Sequence, residues 1–174
     1  MLDSIALKPA TPDHAEAVTA ALIRNRDHMR RWDPDRPASF FTPEAQAERL
    51  ANPDVHRWHL VDGDLIVGEA TLSNLVRGAL SSVDLGYWVD AAYTGRGLAT
   101  RLAEESCRAA RDDLGLHRVG ASTLVDNVVS QRVLHKCGFE QIGTAPRYLH
   151  INGEWRDNHL FQRILYDGPH QRAS

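Results

Sequence analysis

Asn127 and Ser130 stand three positions apart in a run, Val125-Asp126-Asn127-Val128-Val129-Ser130-Gln131-Arg132-Val133-Leu134-His135-Lys136-Cys137, that stops at Gly138-Phe139. On a helix that spacing sets both side chains on one face, so an amide and a hydroxyl point together beyond the first turn. Asn and Ser also favour helix starts for local reasons, because both cap free N–H groups. Taken alone, the pair reads as a polar first turn as readily as a ligand contact. A second constellation precedes it. Across Asp84-Leu85-Gly86-Tyr87-Trp88-Val89-Asp90-Ala91-Ala92-Tyr93-Thr94-Gly95-Arg96-Gly97-Leu98-Ala99-Thr100 a strand pattern runs into two glycines, and a helix pattern begins at once. N–H groups at a helix start are unpaired and carry the positive end of the helix dipole, which suits a phosphate. Arg96 and Arg101 add positive charge, and no acid lies between Tyr93 and Ala103. The plain alternative is a tight strand-to-helix turn.

Three ligand classes compete for this loop. A nucleotide-triphosphate loop needs a Gly-Lys-Ser/Thr ending, which is absent. A dinucleotide fingerprint needs glycine or alanine where Thr100 stands, although Asp126 could serve as its ribose acid. Coenzyme A explains more of the sequence. Here the chain resembles the GCN5-related N-acetyltransferases (GNAT), and within them the ribosomal-protein alanine N-acetyltransferase branch. Gly97-Leu98-Ala99 matches the second half of the family's Gln/Arg-x-x-Gly-x-Gly/Ala motif, while Thr94 stands where Gln or Arg is usual. The run from Val125 to Phe139 resembles the branch's Asn-x-x-Ser helix with its Gly-Phe ending. Asn152-Gly153-Glu154-Trp155-Arg156-Asp157 resembles its closing hairpin. These blocks cover nearly the whole chain in the right order.

The resemblance implies a mixed, mostly antiparallel sheet of about seven strands flanked by about four helices, its fourth and fifth strands splayed. A pantetheine arm would lie in that gap against main-chain groups near Trp88 and Val89. The pyrophosphate would sit on the loop formed by Thr94, Gly95, Arg96, Gly97, Leu98, Ala99 and Thr100. Asn127 would bind the pantetheine amide region, and Ser130 would give a proton to the departing thiolate. Arg132 and Lys136, four apart on the same helix, could meet the ribose phosphate, although charges on a helix face are commonly only solvated.

An amine attacks only when neutral. With reference pKa values of roughly 8 for an α-amino group and 10.4 for lysine, the α-amino group needs far less help. Asp84, on the splayed strand, is the candidate base or water-organising acid, with a solvated strand carboxylate as the alternative. Trp32 and Trp88 are candidate walls of an acceptor pocket, though a loop tryptophan is usually an anchor. Cys137 lacks a histidine partner for nucleophilic work. His56 and His59, three apart on a strand, point to opposite faces, and no metal is expected.

The remaining sequence supplies elements to hold these groups. A strand is expected at residues 5–8, and Asp13 caps a helix with Ala17, Val18, Ala20 and Ala21 on one face. Residues 24–41, with Trp32, Pro34 and Pro37, read as a loop. Thr42-Pro43 starts a short helix running toward Ala51. Strands follow at 58–61, 65–72 and 83–89, then a helix over 98–114 ended by Gly115. A strand at 118–125, the helix from Asp126 to Cys137, and strands at 139–151 and 155–165 around Asn152-Gly153 complete the pattern.

The 174 residues make one α/β (α+β) domain over 1–174, with its core at 5–166 and a flexible tail at 167–174. A net charge of −3 gives no pull toward nucleic acid or anionic lipid, so any anion needs a local positive cluster. Two cysteines are too few for a disulfide framework, and no apolar run approaches the ~20 residues of a membrane span, so a cytoplasmic protein is expected. The chain thus reads as an acyl-CoA-dependent N-acyltransferase. Its donor is expected to be acetyl-CoA and its acceptor a protein α-amino group or a small amine, with direct transfer in a ternary complex. A homodimer is plausible from the family. The rival readings are a non-catalytic acyl-CoA sensor and, on Gly95-x-Gly97 and Asp126 alone, a nicotinamide-nucleotide oxidoreductase.

Overall fold

The computed structural model describes residues 5–168, so residues 169–174 of the expected tail lie outside the described residues. Alternating apolar runs form seven strands: β1 (Ala6–Pro9), β2 (His56–Asp62), β3 (Leu65–Val76), β4 (Ser82–Val89), β5 (Arg118–Leu124), β6 (Glu140–Ile151) and β7 (Glu154–Ile164). They make one sheet in the order β1-β2-β3-β4-β5-β7-β6. β4 and β5 run parallel, and the other neighbours are antiparallel. The helices are α1 (Ala15–Arg24), α2 (Arg26–Met29), α3 (Pro43–Leu50), α4 (Leu98–Asp112) and α5 (Val128–Lys136).

The parallel pair decides the architecture. β4 and β5 are in register only at Ser82↔Arg118, Val83↔Val119 and Asp84↔Gly120. From Leu85 and Ala121 onward they part, while β3 holds β4 and β7 holds β5 on their outer edges. The expected splay is therefore present.

Side-chain alternation along β4 feeds two cores. Val83 and Leu85, with Tyr87 and Val89 packed beside them, meet Leu98, Leu102, Ala103 and Cys107 of α4. Trp88 points the other way and joins Ile66, Val18, Leu22 and Leu50 under α1 and α3. One detail of the expected α1 face is corrected: Ala20 is exposed, and the buried stripe is Ala15, Val18, Ala21 and Leu22. Alanines populate both faces of this helix, so the larger Val18 and Leu22 decide which one is inward.

Local signals set several boundaries. Thr42 caps α3, its Oγ1 accepting from the Ala45 N–H at 3.2 Å with Pro43 next in line. The stretch expected as irregular contains α2 and a 3-10 turn at Ala38–Phe41. Asn152 and Gly153 both take positive φ, 51° and 82°, as a tight hairpin between twisted strands requires.

Candidate active site

Where β4 leaves β5 the sheet opens into a slot of about 240 Å³, walled by Gly86, Tyr87, Thr123, Asn127, Ser130 and Trp32 among others. Beyond Asp84 the edge of β4 facing the gap has no strand to pair with. Its main-chain N–H and C=O groups are thus available to an extended ligand arm, which would pair with them as an added strand.

Ser130 lies in the first turn of α5, and its Oγ is 2.8 Å from the Tyr87 hydroxyl. The same hydroxyl donates to the Ser130 carbonyl at 3.3 Å. Tyr87 is the residue that sequence reasoning missed. Its signal was the alternation Val83, Leu85, Tyr87, which turns the ring toward the helices that close the slot. Burial pushes the phenol up to about 12, so Tyr87 stays protonated and acts as a hydrogen-bonding neutral group.

Asn127 is the N-cap of α5 rather than part of its first turn. Its Oδ1 accepts from the Ser130 N–H at 3.2 Å, which leaves its amide N–H₂ to donate into the slot it lines. Capping and ligand contact are therefore compatible, one per end of the amide. Thr123, also on the slot wall, is 4% exposed, and its hydroxyl has no hydrogen-bond partner among the described residues.

The glycine loop has the conformation that its residues imply. Gly95 and Gly97 both sit at φ 75°, and a Cβ at either position would meet open space. The glycines are thus required by backbone shape rather than by packing. Gly97 is the N-cap of α4 and supplies no side-chain cap, so the N–H groups of Leu98, Ala99 and Thr100 keep their free first-turn character. The Thr94 Oγ1 donates to the Ala91 carbonyl at 3.0 Å. Arg96 is exposed at the loop tip, bonded to the Ala92 carbonyl at 3.1 Å and lying over the Tyr93 ring at 4.8 Å. Arg101 keeps its charge near the loop but is committed elsewhere: its Nη1 donates to the Ile5 carbonyl at 2.7 Å and ties α4 to the residues before β1. Arg132 and Lys136 are exposed on α5, and neither has an ion-pair partner among the described residues.

The other expected residues divide. Trp32 lines the slot, carried there by the loop after α2. Trp88 does not: its ring packs into the second core, and only its main chain can face the gap. The strand period explains this, since the ring of residue 88 lies opposite that of residue 87. Asp84 sits at the last paired position of β4, exposed and accepting from Asn74 Nδ2 at 3.1 Å. Its neighbour across the gap is Gly120, where a Cβ would stand 2.7 Å from Asp84 Oδ1, so the missing side chain makes room for the carboxylate. Cys137 is buried below Thr100 with its thiol pushed up to about 12 by burial, which suits packing and not attack. His59 is buried and bonded to Glu69 at 2.8 Å.

Comparison with known proteins agrees with this geometry. The family model described as an acetyltransferase (GNAT) domain matches residues 4–140. The chain is 30% identical over 166 residues to a probable N-acetyltransferase, YjcK, of Bacillus subtilis, covering 90% of this chain and 92% of that one. The structure of the ribosomal-protein-S5-alanine acetyltransferase from Vibrio fischeri superposes with a TM-score of 0.90, at 29% identity and 94% coverage of both chains. Mycobacterium smegmatis RimJ, solved with CoA-disulfide, gives 0.81 at 26% identity, with 92% of this chain and 81% of that one covered.

The chain belongs to the GNAT acetyltransferase family. It is an acetyl-CoA-dependent N-acetyltransferase, and neither fold nor relatives favour the sensor or oxidoreductase readings. No described helix is long and apolar enough to cross a membrane.

Proposed function

We propose that this enzyme transfers acetyl directly, within a ternary complex, to the exposed α-amino group of a protein or peptide, with small primary amines as the second acceptor class. The observation that carries the reading is the Ser130–Tyr87 pair standing in the slot beside the unpaired edge of β4. The Vibrio fischeri relative, named for acetylating an alanine of ribosomal protein S5, supports the α-amino choice.

When bound, acetyl-CoA supplies a thioester, with a carbonyl open to attack and a sulfur that leaves. The free N–H groups from Gly95 to Thr100 hold pyrophosphate, and Arg132 and Lys136 add charge for the ribose phosphate. Main-chain N–H groups of β4 near Trp88 and Val89 donate to the carbonyl oxygen as negative charge develops there. The Asn127 amide N–H₂ donates to a carbonyl of the arm. Ser130 gives its proton to the leaving sulfur. When Tyr87 turns its one proton from the Ser130 carbonyl to Ser130 Oγ, the serine's own proton is left free to face the slot. Asp84, at the hinge of the splay, organises a water that takes the amine's proton. Trp32 walls the acceptor side. The buried, unpaired thiols of Cys107 and Cys137 support placing the enzyme in the reducing cytoplasm. A homodimer is part of the reading and is checked by sedimentation.

Thermal unfolding with acetyl-CoA, against a nicotinamide dinucleotide as control, tests the donor. At ~100 times the dissociation constant the gain is ~2.7 kcal/mol, or a rise of roughly 5 to 10 °C for this size. Thiol release with an alanine-initiated peptide, its N-acetylated twin and spermidine then tests the acceptor. Release with the free-amine peptide alone supports the reading; release with none of them sinks it. Tyr87→Phe is expected to lower kcat by ~10-fold, the cost of one lost hydrogen bond of about 1 kcal/mol or more, with acetyl-CoA stabilisation retained.

A further inference from the structure

Two residues, Asp33 and Pro34, line both the slot and a second cavity of about 410 Å³ that lies between α1–α2 and the Ala38–Phe41 turn. Asp33 and Pro34 are thus the residues common to both spaces, and Asp33 is the charged one. The segment is fixed on both sides. Arg31 pairs with Asp126, next to Asn127, at 3.0 Å. Asp35 accepts from the N–H groups of Asn152 and Gly153 at 3.0 Å each, and its carboxylate lies 3.0 Å from His150. Asp33 is thus pinned over the slot by a contact to the start of α5 and another to the β6–β7 turn. Among the described residues its ion-pair partner is Arg36, whose Nε lies 3.6 Å away and draws on the carboxylate from one side. Arg36 is itself laid over the Phe40 ring at 4.9 Å.

Resting on the reading given under Proposed function, we propose that Asp33 is the anchor for the acceptor's amine. Its carboxylate receives the N-terminal amino group of a peptide whose following residues occupy the second cavity. The side chain keeps 38% of its surface, open to the cavities, yet the surrounding protein desolvates it enough to raise its pKa above the usual carboxylate range. A carboxylate in that condition gains most from an arriving cationic donor. The charge of the second cavity selects among amines. Arg26, Arg30 and Arg36 balance Asp27, Asp33 and Asp35 around it, which gives no net attraction for a polycation such as a polyamine. Leu22, Met29, Phe40 and Phe41 supply apolar floor for short side chains. A volume of this size is that of an ordinary ligand site, enough for the first residues of a peptide and not for a folded domain.

The test uses the full chain with CoA present and an alanine-initiated hexapeptide amide against its N-acetylated twin, followed by tryptophan fluorescence and by steady-state kinetics. Wild type is expected to bind the free-amine peptide at least ~10-fold tighter than the blocked one, the worth of a hydrogen bond to a charged group. Asp33→Asn should erase that preference and raise the peptide KM by ~10- to 100-fold, with the CoA-induced thermal shift intact. Asp33→Glu should restore part of it. An unchanged preference in Asp33→Asn, a fall in kcat with KM unmoved, or no peptide binding by wild type overturns the anchor. So does a stronger response to spermidine than to peptide. Selective binding of the free-amine peptide without thiol release would instead sink the reaction and leave the anchor standing. Transfer at wild-type KM in Asp33→Asn would do the reverse.

Discussion

Ser130→Ala is expected to lower kcat by ~100-fold or more, within the range lost when a positioned general acid is removed, while acetyl-CoA affinity changes by less than about twofold. The reason is geometric. Ser130 Oγ is placed by its backbone in the first turn of α5, where Asn127 caps the Ser130 N–H at 3.2 Å. Tyr87 fixes the hydroxyl's direction at 2.8 Å. Neither the glycine loop nor the free edge of β4 depends on that oxygen, so binding persists when it is lost. Turnover at the wild-type rate in Ser130→Ala would show that the sulfur leaves without this proton. The pair also sets an order of effects, Ser130→Ala greater than Tyr87→Phe. Burial holds the Tyr87 proton tightly, with its pKa pushed up to about 12, so the phenol directs a hydrogen bond better than it releases a proton. If Tyr87→Phe were the more damaging change, the tyrosine would be the donor and the serine its support.

The parts of this site that the sequence revealed are those encoded over short distances. Gly95, Gly97 and the helix start of α4 are contiguous, and each glycine answers a positive φ of its own backbone. Asn127 and Ser130 are one helical turn apart, so their convergence follows from the chain itself. The splay of β4 from β5 entered through the family resemblance that those two local blocks carry. What escaped are groups brought in from far along the chain. Tyr87 looks like any strand aromatic until α5, 43 residues later, brings Ser130 against it. Trp88 was read as a pocket wall because nothing in the residue itself says which face of β4 meets α4. Asp33 depends on anchors at Asp126 and at Asn152 and Gly153, with Asp35 reaching 117 and 118 residues along the chain. Arg101 was read only as positive charge beside the loop, and its bond to the Ile5 carbonyl spans 96 residues.

The same limit hid a deeply buried charge that several elements surround, and removing it should have a large effect on stability. Glu69 of β3 is 4% exposed and accepts from both terminal nitrogens of Arg49, Nη1 and Nη2, at 2.8 Å each. It also takes His59 Nε2 at 2.8 Å. His59 Nδ1 in turn lies 2.9 Å from His14 Nδ1, so a single tautomer serves the row: His59 donates to Glu69 and accepts from His14. Arg49 Nε donates to Gln46, and Gln46 to the Phe40 carbonyl, which ties β2, β3, α1's entry and α3 together. Glu69→Gln leaves Arg49 without its carboxylate, and breaking a buried pair by removing one partner costs ~3–5 kcal/mol. At ~2–4 °C per kcal/mol for a domain of this size, Tm should fall by roughly 6 to 20 °C. Replacing both partners, as Arg49→Met with Glu69→Leu, should recover much of that loss, because desolvating the pair offsets much of its attraction.

The acid profile separates this account from one of packing alone. Although burial opposes it, bonding to His59 and Arg49 holds the Glu69 pKa down to about 2, against 4.5 for the free group. Its contribution is therefore full above pH 4.5 and is lost as pH falls toward 2. His14, lowered from 6.5 by burial first and His59 next, contributes stability above pH 6.5 that is lost earlier in the descent. Acid unfolding of the wild type should fall in two stages. Glu69→Gln, with no carboxyl at that position to titrate, should lose the lower stage selectively. A mutant with the same two-stage profile as wild type, merely shifted to lower stability, would mean that Glu69 matters here for its shape and not for its charge.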